Sequence, residues 1–79
     1  MLEGIQVRMG RAAVGWSVRE LARNVGVTPN TISRIENGGD ALASTMERLQ
    51  TALENAGVIF IYAAEEGPGV RLRRDQAGQ

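Results

Sequence analysis

The chain of 79 residues contains neither cysteine nor histidine. That removes a disulfide framework, a Cys/His zinc site, a thiol nucleophile and any side chain that titrates near pH 7 without perturbation. The carboxylates are scattered through arginine-containing segments with no Asp/Glu cluster, so neither a magnesium site nor a glycosidase-type carboxylate pair is indicated. No enzymatic activity, metal or cofactor is expected. Apolar runs are short as well. The longest, Val58 to Ala64, falls far below the roughly 20 residues of a membrane span, and no signal-peptide apolar core lies near the N-terminus. The expectation is a soluble cytoplasmic protein.

Lysine is also absent: all nine cations are arginine. Arginine suits bidentate recognition of phosphate and guanine, although genomic base composition produces the same bias. Formal net charge is zero, which argues against a generic polyanion binder. The charges are nevertheless segregated. Residues 1–36 carry five Arg against three Glu, residues 37–66 carry one Arg against five acids, and the tail carries Arg71, Arg73 and Arg74 against Asp75. Both ends are basic and the middle is acidic.

The length allows one small domain. A core of this size buries about 60% of the surface exposed by the unfolded chain, so a partner subunit is a plausible source of further stability.

Apolar residues Ile5, Met9, Ala12 and Ala13, with Val14 near the end, recur at helical spacing while Gln6, Arg8 and Arg11 fall between them. This predicts a first helix over Ile5 to Val14, ended by Gly15. Gly10 inside it costs about 1 kcal/mol of propensity unless a neighbouring element packs close. Ser17 stands three residues before Glu20, a capping-box spacing, so a second helix starts at Val18. Its apolar stripe is Val18, Leu21, Ala22 and Val25, and Gly26 closes it. Thr28 followed by Pro29 reads as an N-cap and first helical residue. Ile32 and Ile35 then face the core, and Asn37-Gly38-Gly39 ends this third helix. Ser44 and Glu47 repeat the capping-box spacing before Met46, Leu49, Ala52, Leu53 and Ala56, predicting a fourth helix closed by Gly57.

Val58-Ile59-Phe60-Ile61-Tyr62 is β-branched and aromatic, and Val70-Arg71-Leu72-Arg73 alternates apolar with basic. A loop holding Glu65, Glu66, Gly67, Pro68 and Gly69 joins them, so a hairpin is the simplest connection. The predicted fold is mainly α, with four short helices over residues 1–57 and a C-terminal β-hairpin over 58–74 in the same domain. Residues 75–79 read as a flexible tail.

Two short helices separated by a tight Gly-containing turn match a helix-turn-helix, whose second helix lies in the major groove. The residues are more specific than the geometry. Gly15-Trp16-Ser17, Leu21-Ala22, Val25-Gly26-Val27-Thr28 and the run Thr31 to Gly38 fall in register without a gap. This stretch, covering roughly residues 5 to 57, resembles the Xre/Cro-like (lambda-repressor-like) family of helix-turn-helix transcriptional regulators.

The resemblance implies a bacterial or phage transcriptional regulator that binds specific double-stranded DNA. Such a protein usually acts as a homodimeric repressor, often of its own operon, on a (pseudo)palindromic operator. It also implies base reading by Pro29, Asn30, Thr31, Ser33 and Arg34. By donor and acceptor pattern, Arg34 suits guanine O6 and N7, and Asn30 suits adenine N6 and N7. Pro29 and Val18 stand where the family often has glutamine, which removes one base reader and one phosphate clamp. The resemblance assigns phosphate contacts to Ser17, Arg19, Thr28, Thr31 and the backbone around Asn37, joined by the Val18 N–H at a helix N-terminus. Ser17 and Thr28 serve equally as caps. Arg11 and Glu36 match an internal salt bridge, and Trp16 reads as a core plug rather than a stacking platform.

The hairpin has three readings. Val58, Ile59, Phe60, Ile61, Tyr62, Val70 and Leu72 can dimerise by pairing strand edges, or the hairpin can fold onto helix four and complete the core. Alternatively Arg71, Arg73 and Arg74 contact DNA. Function has alternatives too: the antitoxin of a toxin-antitoxin pair, with a toxin as protein partner, or a protein-protein adaptor on the same scaffold.

Overall fold

A computed structural model of the chain describes residues 1–62 and 65–74, so the tail expected over 75–79 lies outside the described residues. Four helices, α1 (Gly4–Ala13), α2 (Val18–Val25), α3 (Pro29–Glu36) and α4 (Ala43–Asn55), precede a two-stranded antiparallel sheet of β1 (Val58–Ile61) and β2 (Gly69–Leu72). Leu21, Ile32, Ile35, Leu49, Leu53 and Val7 are fully buried at the centre, where every helix contributes.

The ends of α2 follow their sequence signals. Ser17 Oγ accepts the Glu20 N–H at 3.0 Å while the Ser17 N–H donates to Glu20 Oε1 at 2.8 Å. At the other end Gly26 takes φ 75°, a left-handed conformation that favours glycine, and lets its N–H return to the Ala22 carbonyl. The start of α4 departs from expectation. Its N-cap is Leu42, extended at φ −63° and ψ 145°, and no side chain caps it. Ser44 is already helical, so its spacing to Glu47 is a coincidence of sequence and not a capping box.

The buried face of α1 also differs from the hydropathy pattern. Ile5 is 46% exposed, whereas Gln6, Val7 and Gly10 are buried and Leu2 joins the core ahead of the helix. Gln6 is fully buried because its amide is satisfied: Nε2 donates to the carbonyls of Ile61 and Gly69 at 2.9 and 3.1 Å, and Oε1 accepts the Glu3 N–H at 2.9 Å. Ile61 and Gly69 face each other in the ladder, so one side chain clips both strands to α1. Gly10 supplies the close approach that excuses a mid-helix glycine. A Cβ there would stand 3.4 Å from Leu53 and from Val58, and 3.6 Å from Phe60.

The strands pair Val58 with Leu72, Ile59 with Arg71, Phe60 with Val70 and Ile61 with Gly69. Val58 and Phe60 are buried in the core, and Val70 and Leu72 pack against it. The hairpin therefore completes the core of its own chain over α1 and α4. Its other face carries Ile59, 38% exposed, beside exposed Arg71.

Candidate nucleic-acid interface

The α2–turn–α3 unit is anchored from beneath by Leu21, Ala22, Val25, Ile32 and Ile35, all buried. Their spacing leaves the opposite face of α3 outside. Pro29, Asn30, Ser33 and Arg34 are exposed there and Thr31 is half-buried. Thr28 caps α3, its Oγ1 accepting the Thr31 N–H at 3.3 Å and lying 2.9 Å from the Thr31 hydroxyl. Asn37 turns back on its own helix, Nδ2 donating to the Ser33 carbonyl at 2.8 Å. The side chains of Asn30, Ser33 and Arg34 have no hydrogen-bond partner among the described residues. The structure thus commits the capping residues and leaves the outer face of α3 free.

Two arginines hold this unit from either side. Arg11 of α1 meets Glu36 at the end of α3 through Nε at 2.7 Å and Nη2 at 3.0 Å, and its Nη1 donates to the Trp16 carbonyl at 3.1 Å. The start of α2 and the end of α3 are tied to one guanidinium. Hydrogen bonding to the Glu36 carboxylate raises the Arg11 pKa above its ordinary value against the opposing effect of burial. Arg48 of α4 caps the other end of α2, Nη1 donating to the Val25 carbonyl at 2.7 Å. Sequence reading missed Arg48. Its only signal is that it is the lone cation between residues 37 and 66.

Among the residues assigned to phosphate, Ser17, Arg19, Thr28 and Asn37 are exposed and Val18 is half-buried beside them at the N-terminus of α2. That N-terminus also holds the Glu20 carboxylate. The Ser17 N–H and hydroxyl bind it and keep its pKa below the usual glutamate value. Trp16 is half-buried against the core and is absent from the outer face of α3.

Residues 7–55 match the family model described as helix-turn-helix, which covers more than half of the chain and spans α2, the turn and α3 entire. The chain belongs to the Xre/lambda-repressor-like helix-turn-helix family. Comparison with curated proteins gives no match. As a DNA-binding helix-turn-helix regulator, the protein presents α3 as its second helix, the one that the motif lays in the major groove. In this regulator no described helix is long and apolar enough to cross a membrane. The residues that hold the motif together, Arg11, Glu36 and Arg48, stand apart from those it exposes.

Proposed function

We propose that this chain is a cytoplasmic, sequence-specific repressor that binds a two-fold symmetric operator as a homodimer, reading the major groove with α3. The observation that carries the reading is the uncommitted outer face of α3. Arg34 presents a fork for guanine O6 and N7, and Asn30 an amide for adenine N6 and N7. The exposed Pro29 ring offers an apolar contact to a thymine methyl beside them. Phosphates are held by the exposed caps at Ser17 and Thr28, by Arg19, by the backbone N–H at Val18, and around exposed Asn37, whose own N–H is kept by the Ser33 carbonyl. Bound across a promoter, such a dimer excludes polymerase.

Dimerisation through β1 is supported by the sheet itself. The Arg73 N–H bonds the Gly57 carbonyl at 2.8 Å, which makes Ile59–Arg71 and Ile61–Gly69 the hydrogen-bonded pairs of the ladder. The backbone groups of Val58 and Phe60 therefore point away from β2. The face of β1 turned from the core carries Ile59 and half-buried Ile61, with exposed Tyr62 just after the strand, all uncharged, whereas the same face of β2 carries exposed Arg71, so two copies of β2 would bring like charges together. The β1 edge is the one that tolerates a second copy of itself.

Selection of binding sites from a random duplex pool tests both halves of this proposal. An enriched inverted repeat is expected. Failure to enrich any sequence contradicts specific reading, and enrichment of a single unrepeated half-site contradicts the dimer. Light scattering at tens of micromolar adds a direct check, with Ile59→Arg expected to give a monomer where the unaltered protein is a dimer.

A further inference from the structure

Two consecutive glycines follow α3, and the structure gives them different reasons to be glycine. Gly38 takes φ 94°, in the left-handed region, and a Cβ there would meet nothing within 4 Å. Its conformation demands glycine. Gly39 is the reverse case. Its backbone lies outside the left-handed region, yet a Cβ would fall 2.5 Å from Arg34 Cγ and 2.8 Å from the Arg34 carbonyl oxygen. Space, and not conformation, demands glycine, and Arg34 occupies that space.

We propose that Gly39 is a positioning residue for Arg34: the bare backbone at 39 closes onto the arginine stem and aims its guanidinium off the outer face of α3. The closure is a pair of crossing bonds at the helix end, Gly38 N–H to the Ile35 carbonyl at 3.0 Å and Gly39 N–H to the Arg34 carbonyl at 2.8 Å. This is the pattern in which the second residue past the cap packs on the third residue before it, a contact usually made by two apolar side chains. Here the contact is between the methylene stem of Arg34 and a glycine backbone. Arginine has several free rotors, and ordering them is a cost of binding. A stem restrained at Cγ before DNA arrives lowers that cost and narrows the arc swept by the fork, which sharpens discrimination at one base pair. The inference rests on α3 being the reading helix and Arg34 its guanine reader.

The test compares Gly39→Ala, Gly38→Ala, Arg34→Ala and the Gly39→Ala/Arg34→Ala double variant on the selected operator, on the same duplex with each guanine replaced in turn, and on shuffled DNA. Arg34→Ala should lose about tenfold or more of the preference for one guanine. Gly39→Ala should lose part of that same preference, about threefold or more, and its addition to Arg34→Ala should change the preference no further, while the clash with the carbonyl oxygen of residue 34 lowers the melting temperature in both backgrounds. Gly38→Ala strains the same turn without touching Arg34, so it should lower the melting temperature and spare the preference. Gly39→Ala with full preference, or with an equal loss in both backgrounds, overturns the positioning role. Full preference in Arg34→Ala overturns the base-reading assignment instead. Side-chain couplings of Arg34 in the unaltered protein give a readout independent of how the variants fold: one χ1 rotamer is expected, and an averaged value contradicts the inference.

Discussion

Arg11 and Glu36 lie 25 positions apart in sequence and meet by two parallel hydrogen bonds, 2.7 and 3.0 Å, with the Glu36 side chain only 5% exposed and that of Arg11 18%. The pair fixes α1 to the end of α3, and its third bond, to the Trp16 carbonyl, brings in the start of α2. Removing either partner has unequal consequences. Arg11→Ala strands a carboxylate that water barely reaches, and a loss of about 2 to 4 kcal/mol is expected, less than for a fully buried pair because the arginine is partly solvated. Glu36→Gln leaves an arginine that keeps Trp16 and can reach solvent, so its loss is smaller. Urea unfolding of the two variants should give that order.

Gln6 makes a different link, from helix to hairpin. Gln6→Ala should destabilise by about 2 to 4 kcal/mol, combining lost hydrogen bonds with a cavity. Gln6→Leu should cost roughly half as much, because it refills the space and the two strand carbonyls keep each other's N–H in the ladder. Hydrogen exchange should quicken at Ile61 and Gly69 in both variants before it quickens in α3. Equal acceleration throughout would contradict a local clip.

Gly4 and Gly10, both in α1, should respond unequally to alanine. At Gly4 a Cβ would fall on the Ile35 carbonyl oxygen, and backbone does not give way cheaply. Gly4→Ala is expected to cost about 1 to 3 kcal/mol. At Gly10 the neighbours are side-chain tips at 3.4 Å or more, and the gain in helix propensity offsets their displacement. Gly10→Ala should lie within about 1 kcal/mol of the unaltered protein by thermal melting.

The exposed Glu20 cap gives a pH dependence with a definite sign. Its carboxyl is held below the ordinary glutamate value by the Ser17 N–H and hydroxyl. A lowered folded value contributes stability that is present above the unfolded value and lost as pH falls through the folded one. Urea midpoints followed between about pH 6 and pH 3 should fall less steeply in Glu20→Gln than in the unaltered protein. A parallel pair of curves would mean that the cap adds nothing.

How much of this was legible beforehand depends on whether local chemistry or distant packing decides each feature. Ser17, Gly26, Thr28 and Pro29 act within a few residues of themselves, and the ends of α2 and α3 fall where those residues place them. Ser44 and Glu47 show the limit of that logic. A capping spacing recurs by chance inside a helix, and only the extended backbone of Leu42 marks the true start. The apolar pattern of α1 passes over Gln6 because hydropathy cannot see the two carbonyls that await it 55 and 63 residues later. With Gln6 and Gly10 invisible to an apolar pattern, the stripe expected for α1 starts from Ile5, which is exposed. At the candidate site, the exposure of Asn30 and Arg34 follows from the spacing of Ile32 and Ile35. The cap of Arg48 on α2 joins residues 23 positions apart and depends on tertiary closure that no short-range signal encodes, whereas the contact of Gly39 with Arg34 is local and only its steric reason lies beyond the sequence.

The central claim is that α3 reads DNA sequence through its outward side chains. Its most direct measurement is binding of the purified protein to the DNA upstream of its own gene and to shuffled DNA of equal length, at two salt concentrations, with Arg34→Ala alongside. The account predicts preference for the upstream DNA, affinity that falls steeply with salt, and a loss of about 1 to 3 kcal/mol of that preference in the variant. Clear preference for the upstream DNA that survives Arg34→Ala undiminished would contradict it.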